Sequence, residues 1–236
     1  MILCANFKAN KTRQETRAYM AVVESFISAN EIDDTVIVFP PFTALEEYSP
    51  SNLLVGVQNA YPAQNGAYTG EITLEQLEEF GVNTILIGHS ERRHILGETQ
   101  AQIVDKFRFF ADNGFVIIYC VGEPLSVREQ GDEVMMRYVD AQFEGIDCNY
   151  ADLIIAYEPV WAIGTGLTPT NEQIVAMHTA LRVKTPAPLL YGGSVKVDNA
   201  RSIMKLEHVD GVLVGSASLS ANDFCEMIAQ SAELKQ

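Results

Sequence analysis

No stretch of this 236-residue sequence is long and apolar enough to lie across a bilayer. The longest apolar run, Phe115 to Val121, is far short of the roughly 20 residues that a spanning helix needs. Cationic residues are scarce, with 16 Lys and Arg against 31 Asp and Glu and a formal net charge of −15. That balance argues against nucleic-acid or anionic-membrane partners, whose surfaces recruit Lys and Arg, and makes any cation held in a pocket conspicuous. The four cysteines, Cys4, Cys120, Cys148 and Cys225, are far apart and form no Cys-x-x-Cys pair, so a zinc knuckle and a thioredoxin-like motif are both missing. Cys4, Cys120 and Cys225 sit in or beside apolar stretches, as buried free thiols in a reducing compartment do. Residues Met1 to Asn10 carry neither a basic start with an apolar segment behind it nor a small-residue cleavage site. A soluble, cytoplasmic protein is expected.

Eight short apolar runs are present: Ile2 to Ala5, Val36 to Phe39, Leu53 to Val57, Thr84 to Ile87, Phe115 to Val121, Leu153 to Tyr157, Leu189 to Tyr191 and Val212 to Val214. Between them lie segments of helical periodicity, among them Thr16 to Ile27, Glu98 to Phe110, Asn171 to Val183 and Asp223 to Leu234. Continuous apolar strands separated by amphipathic helices imply a parallel sheet covered by helices, because each parallel strand needs a long crossover. Eight such units without a linker favour closure into a single (β/α)8 barrel domain over residues 1–236. An open doubly wound sheet would want a glycine-rich turn after the first strand, and Asn6-Phe7-Lys8-Ala9-Asn10 is not one.

A barrel of this kind gathers its active-site residues just beyond the carboxyl ends of its strands. Glu158 stands there, at the exit of a buried strand. The segment Pro159-Val160-Trp161-Ala162-Ile163-Gly164, followed by Thr165-Gly166, has a stiff start and a flexible end. This is the pattern of a general base under a hinged lid, the plainer alternative being a solvated loop glutamate. Lys8 and Asn6 follow the first strand. A cation there attracts a small anion and stabilises negative charge on a substrate oxygen; the alternative is a surface lysine. His89 precedes Ser90-Glu91, which reads as a helix start capped by Ser90, so the positive helix end would keep the imidazole neutral and able to polarise a carbonyl. A satisfied core histidine is the competing account. Glu91 and His94 have the spacing of a carboxylate-helix metal site but lack a second copy to complete it. Gly192-Gly193-Ser194 and Gly215-Ser216 offer backbone N–H groups after the seventh and eighth strands, where this fold holds phosphate, and Gly164 could add one from the lid. Tight-turn geometry would explain either glycine pair alone.

One carboxylate base, one neutral electrophile, one cation and a phosphate cradle suit proton abstraction beside the carbonyl of a small phosphorylated compound, with no metal or redox cofactor. A Schiff-base aldolase acting through Lys8 is a second possibility, although that chemistry wants a lysine desolvated within a strand. A non-enzymatic binding barrel is a third.

Seven motifs carry a further observation: Asn6 to Asn10, Gly66-Ala67-Tyr68-Thr69-Gly70-Glu71, Gly88-His89-Ser90-Glu91-Arg92-Arg93, Cys120-Val121-Gly122-Glu123, Tyr157 to Gly166, Tyr191-Gly192-Gly193-Ser194-Val195 and Val214-Gly215-Ser216-Ala217-Ser218. In this order and over nearly the whole chain, they resemble the triosephosphate isomerases. The resemblance implies interconversion of dihydroxyacetone phosphate and D-glyceraldehyde 3-phosphate through an enediolate, in glycolysis and gluconeogenesis. It implies Glu158 as base, His89 as electrophile, Lys8 and Asn6 as substrate contacts and Glu91 as a further carboxylate. Gly164, Ser194, Gly215 and Ser216 would bind phosphate. This family is itself the standard case of a glutamate base, a neutral histidine and a closing loop, so those roles come with the resemblance. It also implies Glu123 and Tyr191 as posts for the lid, and a homodimer in which Thr69 reaches into the neighbouring subunit's site. Phe7 and Ala9 stand where the family commonly has Trp and Met. Ser216 replaces a usual glycine, keeping the N–H but narrowing the backbone's freedom.

Overall fold

The computed structural model describes residues 1–47, 53–163 and 167–235. Eight parallel strands form one sheet: β1 (Ile2–Asn6), β2 (Thr35–Phe39), β3 (Leu53–Val55), β4 (Thr84–Ile87), β5 (Val116–Val121), β6 (Leu153–Tyr157), β7 (Leu189–Tyr191) and β8 (Gly211–Val214). Their order is β3-β2-β1-β8-β7-β6-β5-β4, and each pairing between neighbours is parallel. The two ends of that order meet through a parallel bridge of Val57 to Ile85, with Val57 N–H donating to Thr84 O and Leu86 N–H donating to Val57 O, both at 2.9 Å. The ring is thereby closed, and the open-sheet alternative is excluded.

The third strand is shorter than its apolar run. It stops at Val55, and the next residue, Gly56, lies against the Phe39 ring, where a Cβ would overlap the ring carbons. Val57 then resumes on the far side as the closing bridge. Strand alternation divides the apolar residues into two sets. Cys4, Ile37, Phe39, Leu86, Ile118, Cys120, Ile154, Ala156, Leu190 and Leu213 fill the barrel interior. Their neighbours, such as Leu3, Val38, Ile85, Tyr119, Ile155 and Val212, face the helices. Cys4, Cys120 and Cys225 are buried and free, as expected.

The surrounding helices are α1 (Arg13–Ala29), α2 (Leu74–Glu79), α3 (Ser90–His94), α4 (Gln100–Asp112), α5 (Leu125–Arg128), α6 (Asp132–Ala141), α7 (Asn171–Arg182), α8 (Val197–Met204) and α9 (Ala221–Ala232). Reciprocal capping boxes start three of them: Thr12 with Glu15 for α1, Thr99 with Gln102 for α4 and Thr170 with Gln173 for α7. Each threonine accepts an otherwise unpaired N–H of the first turn, while the acidic or amide partner reaches back to the cap's own N–H. No described helix is long and apolar enough to cross a membrane.

Phe39 is fully buried in the interior layer beside the site of closure. Phe39→Ala is expected to cost ~3–5 kcal/mol of stability. Urea unfolding checks this, and a midpoint equal to the parent's would contradict the packing described.

Candidate active site

Along β1 every residue after Ile2 is buried, and the chain then turns sharply at Lys8. Lys8 adopts φ = 51°, in the left-handed region that a side chain with a Cβ rarely enters. Two bonds hold it there. Its N–H donates to Asn6 Oδ1 at 2.9 Å, and its carbonyl accepts from Gln58 Nε2 at 2.8 Å. A constrained backbone of this kind, over-determined by its neighbours, is typical of functional positions. Lys8 Nζ lies 2.8 Å from Glu91 Oε1. Gly215 leaves the room, since a Cβ there would lie 3.2 Å from Lys8 Cε.

His89 and not Ser90 caps α3, which corrects the expectation from sequence. Ser90 is the first helical residue, and His89 Nδ1 accepts the Glu91 N–H at 3.2 Å. The Ser90 hydroxyl is buried and has no partner among the described residues. Its N–H instead donates to Glu158 Oε2 at 2.8 Å, while His89 Nε2 lies 3.0 Å from Glu158 Oε1. Glu158, at the exit of β6, is 2% exposed and thus has a donor on each carboxylate oxygen. Its backbone is as firmly held, with Glu158 N–H donating to Val121 O at 2.7 Å. Gly122 is required beside it, because a Cβ there would overlap the Glu158 carbonyl oxygen.

Burial raises the Glu158 pKa, but His89, the Ser90 N–H and Lys8 outweigh it, and the net shift is downward. For His89, burial is the largest influence and favours the neutral ring. Glu158 opposes it, and the net shift is upward. That direction is opposite to the one expected from a helix terminus alone, because a carboxylate at 3.0 Å outweighs the partial charge of a five-residue helix. The Nδ1 lone pair is nevertheless occupied by the Glu91 N–H, so a second ring proton would have to break that bond.

A cavity of about 260 Å3 joins these groups to the glycine turns. Asn6, Lys8, His89, Glu158, Gly192, Gly193, Ser194, Gly215 and Ser216 all line it, with Ile163 from the segment after β6. Glu91 stands at its edge through its bond to Lys8. Gly164, expected to add an amide, lies outside the described residues. Thr69 is exposed and is not among the lining residues of its own chain's cavity. Among the described residues no cluster of His, Cys, Asp or Glu could hold a metal ion, so Glu91 and His94 do not form a metal site.

The segment Pro159–Ile163, expected to form a lid, is tied down at Trp161, whose Nε1–H donates to Glu123 Oε1 at 2.9 Å. Glu123 is fully buried and also accepts from the Tyr157 hydroxyl at 3.1 Å and Arg128 at 2.9 Å. The Arg128 guanidinium stacks 4.9 Å from the Trp161 ring. The Tyr191 hydroxyl is buried beside the Ser194 backbone. Reading the residues missed Gln58, Arg128 and Lys196, a second cation lining the cavity. Only Lys196, two residues beyond the Gly-Gly-Ser turn, carries a usable signal.

Residues 1–231 match the family model described as triosephosphate isomerase. The chain belongs to the triosephosphate isomerase family. A triosephosphate isomerase of Sulfurimonas denitrificans is 60% identical, the aligned region covering 96% of this chain and 94% of that relative. Those of Sulfurovum sp. and Wolinella succinogenes are 54% and 52% identical, each covering 97% of this chain and 99% of the relative. Isomerases of this family thus match nearly the full barrel, mouth included.

The His89–Glu158 pair yields a directional prediction. In Glu158→Gln the opposing carboxylate is gone, so burial and Lys8 should bring the His89 pKa below its ordinary value. An NMR titration of the ring protons reads this. A pKa that stays raised would show that Glu158 is not its cause.

Proposed function

We propose that this chain interconverts dihydroxyacetone phosphate and D-glyceraldehyde 3-phosphate, the isomerase step of glycolysis and gluconeogenesis. One observation carries the reading of the site: a buried carboxylate, Glu158, faces the same small cavity as His89, Lys8 and the glycine turns after β7 and β8. Glu158 takes a proton from the carbon beside the substrate carbonyl. The electron pair moves onto the carbonyl oxygen, where the His89 Nε2–H and the Lys8 ammonium stabilise the charge. The hydroxyl proton of the first carbon passes to the former carbonyl oxygen through the His89 ring, and the same carboxylate returns its proton to the neighbouring carbon as the new carbonyl forms, so no net oxidation and no cofactor is involved.

To reach carbon, Glu158 must leave His89 and Ser90. Its departure removes the main influence favouring a charged imidazole, and burial then keeps the ring neutral with Nε2–H free to donate. Asn6 orients Lys8, and Glu91 holds its ammonium in place. The N–H groups of Ser194, Gly215 and Ser216, joined by Gly164, bind the phosphate dianion. Pro159 to Gly164 close over it and exclude water, leaving Glu123 for Tyr191 as they move.

The Schiff-base alternative is disfavoured by the Lys8–Glu91 pair at 2.8 Å, since a lysine held as an ammonium by a carboxylate is a poor nucleophile. We further infer that residues 1–236 form one domain, that the protein works in the cytoplasm, and that it pairs as a homodimer in which Thr69 of a second copy braces Asn6 and Glu91. The exposure of residues 64–71 supports that pairing.

Glu158→Gln is expected to lower kcat by roughly 10²–10⁴-fold, the usual contribution of a positioned base, while phosphoglycolate still binds. A coupled assay and calorimetry check both, and full turnover in the folded variant would end this reading. Light scattering on the eluting protein should give twice the 26.0 kDa chain mass. A fully active monomer would contradict the role of Thr69.

A further inference from the structure

We propose that Arg93 is a positioning residue for the reaction, clamping the backbone that delivers His89 and the backbone that supports Glu158 into one frame. Arg93 projects from α3, and its side chain reaches back to the strand ends below the site. Its Nε donates to Gly88 O at 2.7 Å, and Nη2 donates to Cys120 O at 3.2 Å and to the Tyr119 hydroxyl at 3.0 Å. Nη1 donates to Gln100 Oε1 at 2.8 Å, and the guanidinium lies 5.5 Å from the Tyr119 ring centroid.

The two carbonyls matter most. Gly88 O belongs to the peptide that leads into His89, so holding its plane fixes the direction in which the imidazole departs. Cys120 O belongs to the peptide entering Val121, and the carbonyl of Val121 accepts the Glu158 N–H. The β4–β5 ladder registers Ile87 with Tyr119 and goes no further. Beyond it, the guanidinium bridges the two strand exits that the ladder leaves unjoined. A planar fork of fixed donors suits this task, whereas an ammonium on a flexible stem reaches a single carbonyl. The fit is close, since a Cβ on Gly88, whose φ is +74°, would lie 2.6 Å from Arg93 Nη2. None of the four hydrogen-bonding partners is charged, so no ion pair accounts for the placement.

The inference rests on the isomerase reading for its catalytic meaning, and the test separates the two. Arg93→Gln and Arg93→Lys are made in the full chain. Misplacing a catalytic group by about an ångström costs on the order of 10²-fold, so kcat should fall by that order in Arg93→Gln and by less in Arg93→Lys. Phosphoglycolate affinity should stay within roughly threefold of the parent's, because the phosphate turns lie after β7 and β8 and take no contact from Arg93. The His89 Nε2 proton resonance of the unliganded protein should move in both variants. The inference is overturned if either folded variant keeps the parent's kcat, if phosphoglycolate binding is lost in step with kcat, or if the His89 resonance does not move. Should Arg93→Gln fail to fold, Arg93→Lys decides on the same criteria. A parent without isomerase activity would defeat the reaction assignment, and the resonance would then still accept or reject the clamp.

Discussion

A carboxylate buried in a barrel mouth is the constraint from which most of this site follows. Glu158 is almost wholly removed from water and retains its charge because two donors meet it, the His89 ring and the Ser90 N–H, with the Lys8 ammonium adding to their effect. Both donors come from the turn after β4, two strands away from β6. The β4–β5–β6 part of the sheet must therefore be in register and rigid at its exits before the charge can be tolerated at all. An unpaired carboxylate in that position would cost several kcal/mol or would simply take up a proton.

The same pair links stability to pH in two directions. Glu158 has a depressed pKa, so its contribution is present above the unfolded value and lost as pH falls through the folded one. His89 has a raised pKa, so its contribution is present below the unfolded value and lost as pH rises through the folded one. The pairing is therefore strongest in the window between the two.

Much of this was legible in the chain, and the exceptions share a physical cause. Strand and helix identity is local: an apolar run bounded by polar residues, or a threonine three residues ahead of Glu or Gln, contains its own signal. The residues at strand exits could be named because a parallel barrel places all such exits at one end. What could not be read depends on which exits become neighbours. Nothing near Gln58 indicates that its amide will grip the Lys8 carbonyl, and nothing near Arg128 indicates a tryptophan lying against it. The shift at His89 took the opposite sign for the same reason, since the helix lies nearby in sequence and Glu158 does not. Likewise, the need for glycine at position 56 comes from a ring contributed by β2.

The indole at position 161 is the only one in the chain, and it is wedged between a buried carboxylate and a guanidinium. Indole emission responds to charges held against the ring. Without any label, the intrinsic tryptophan fluorescence of the whole protein therefore comes from one ring, held between Glu123 and Arg128 in the segment after β6.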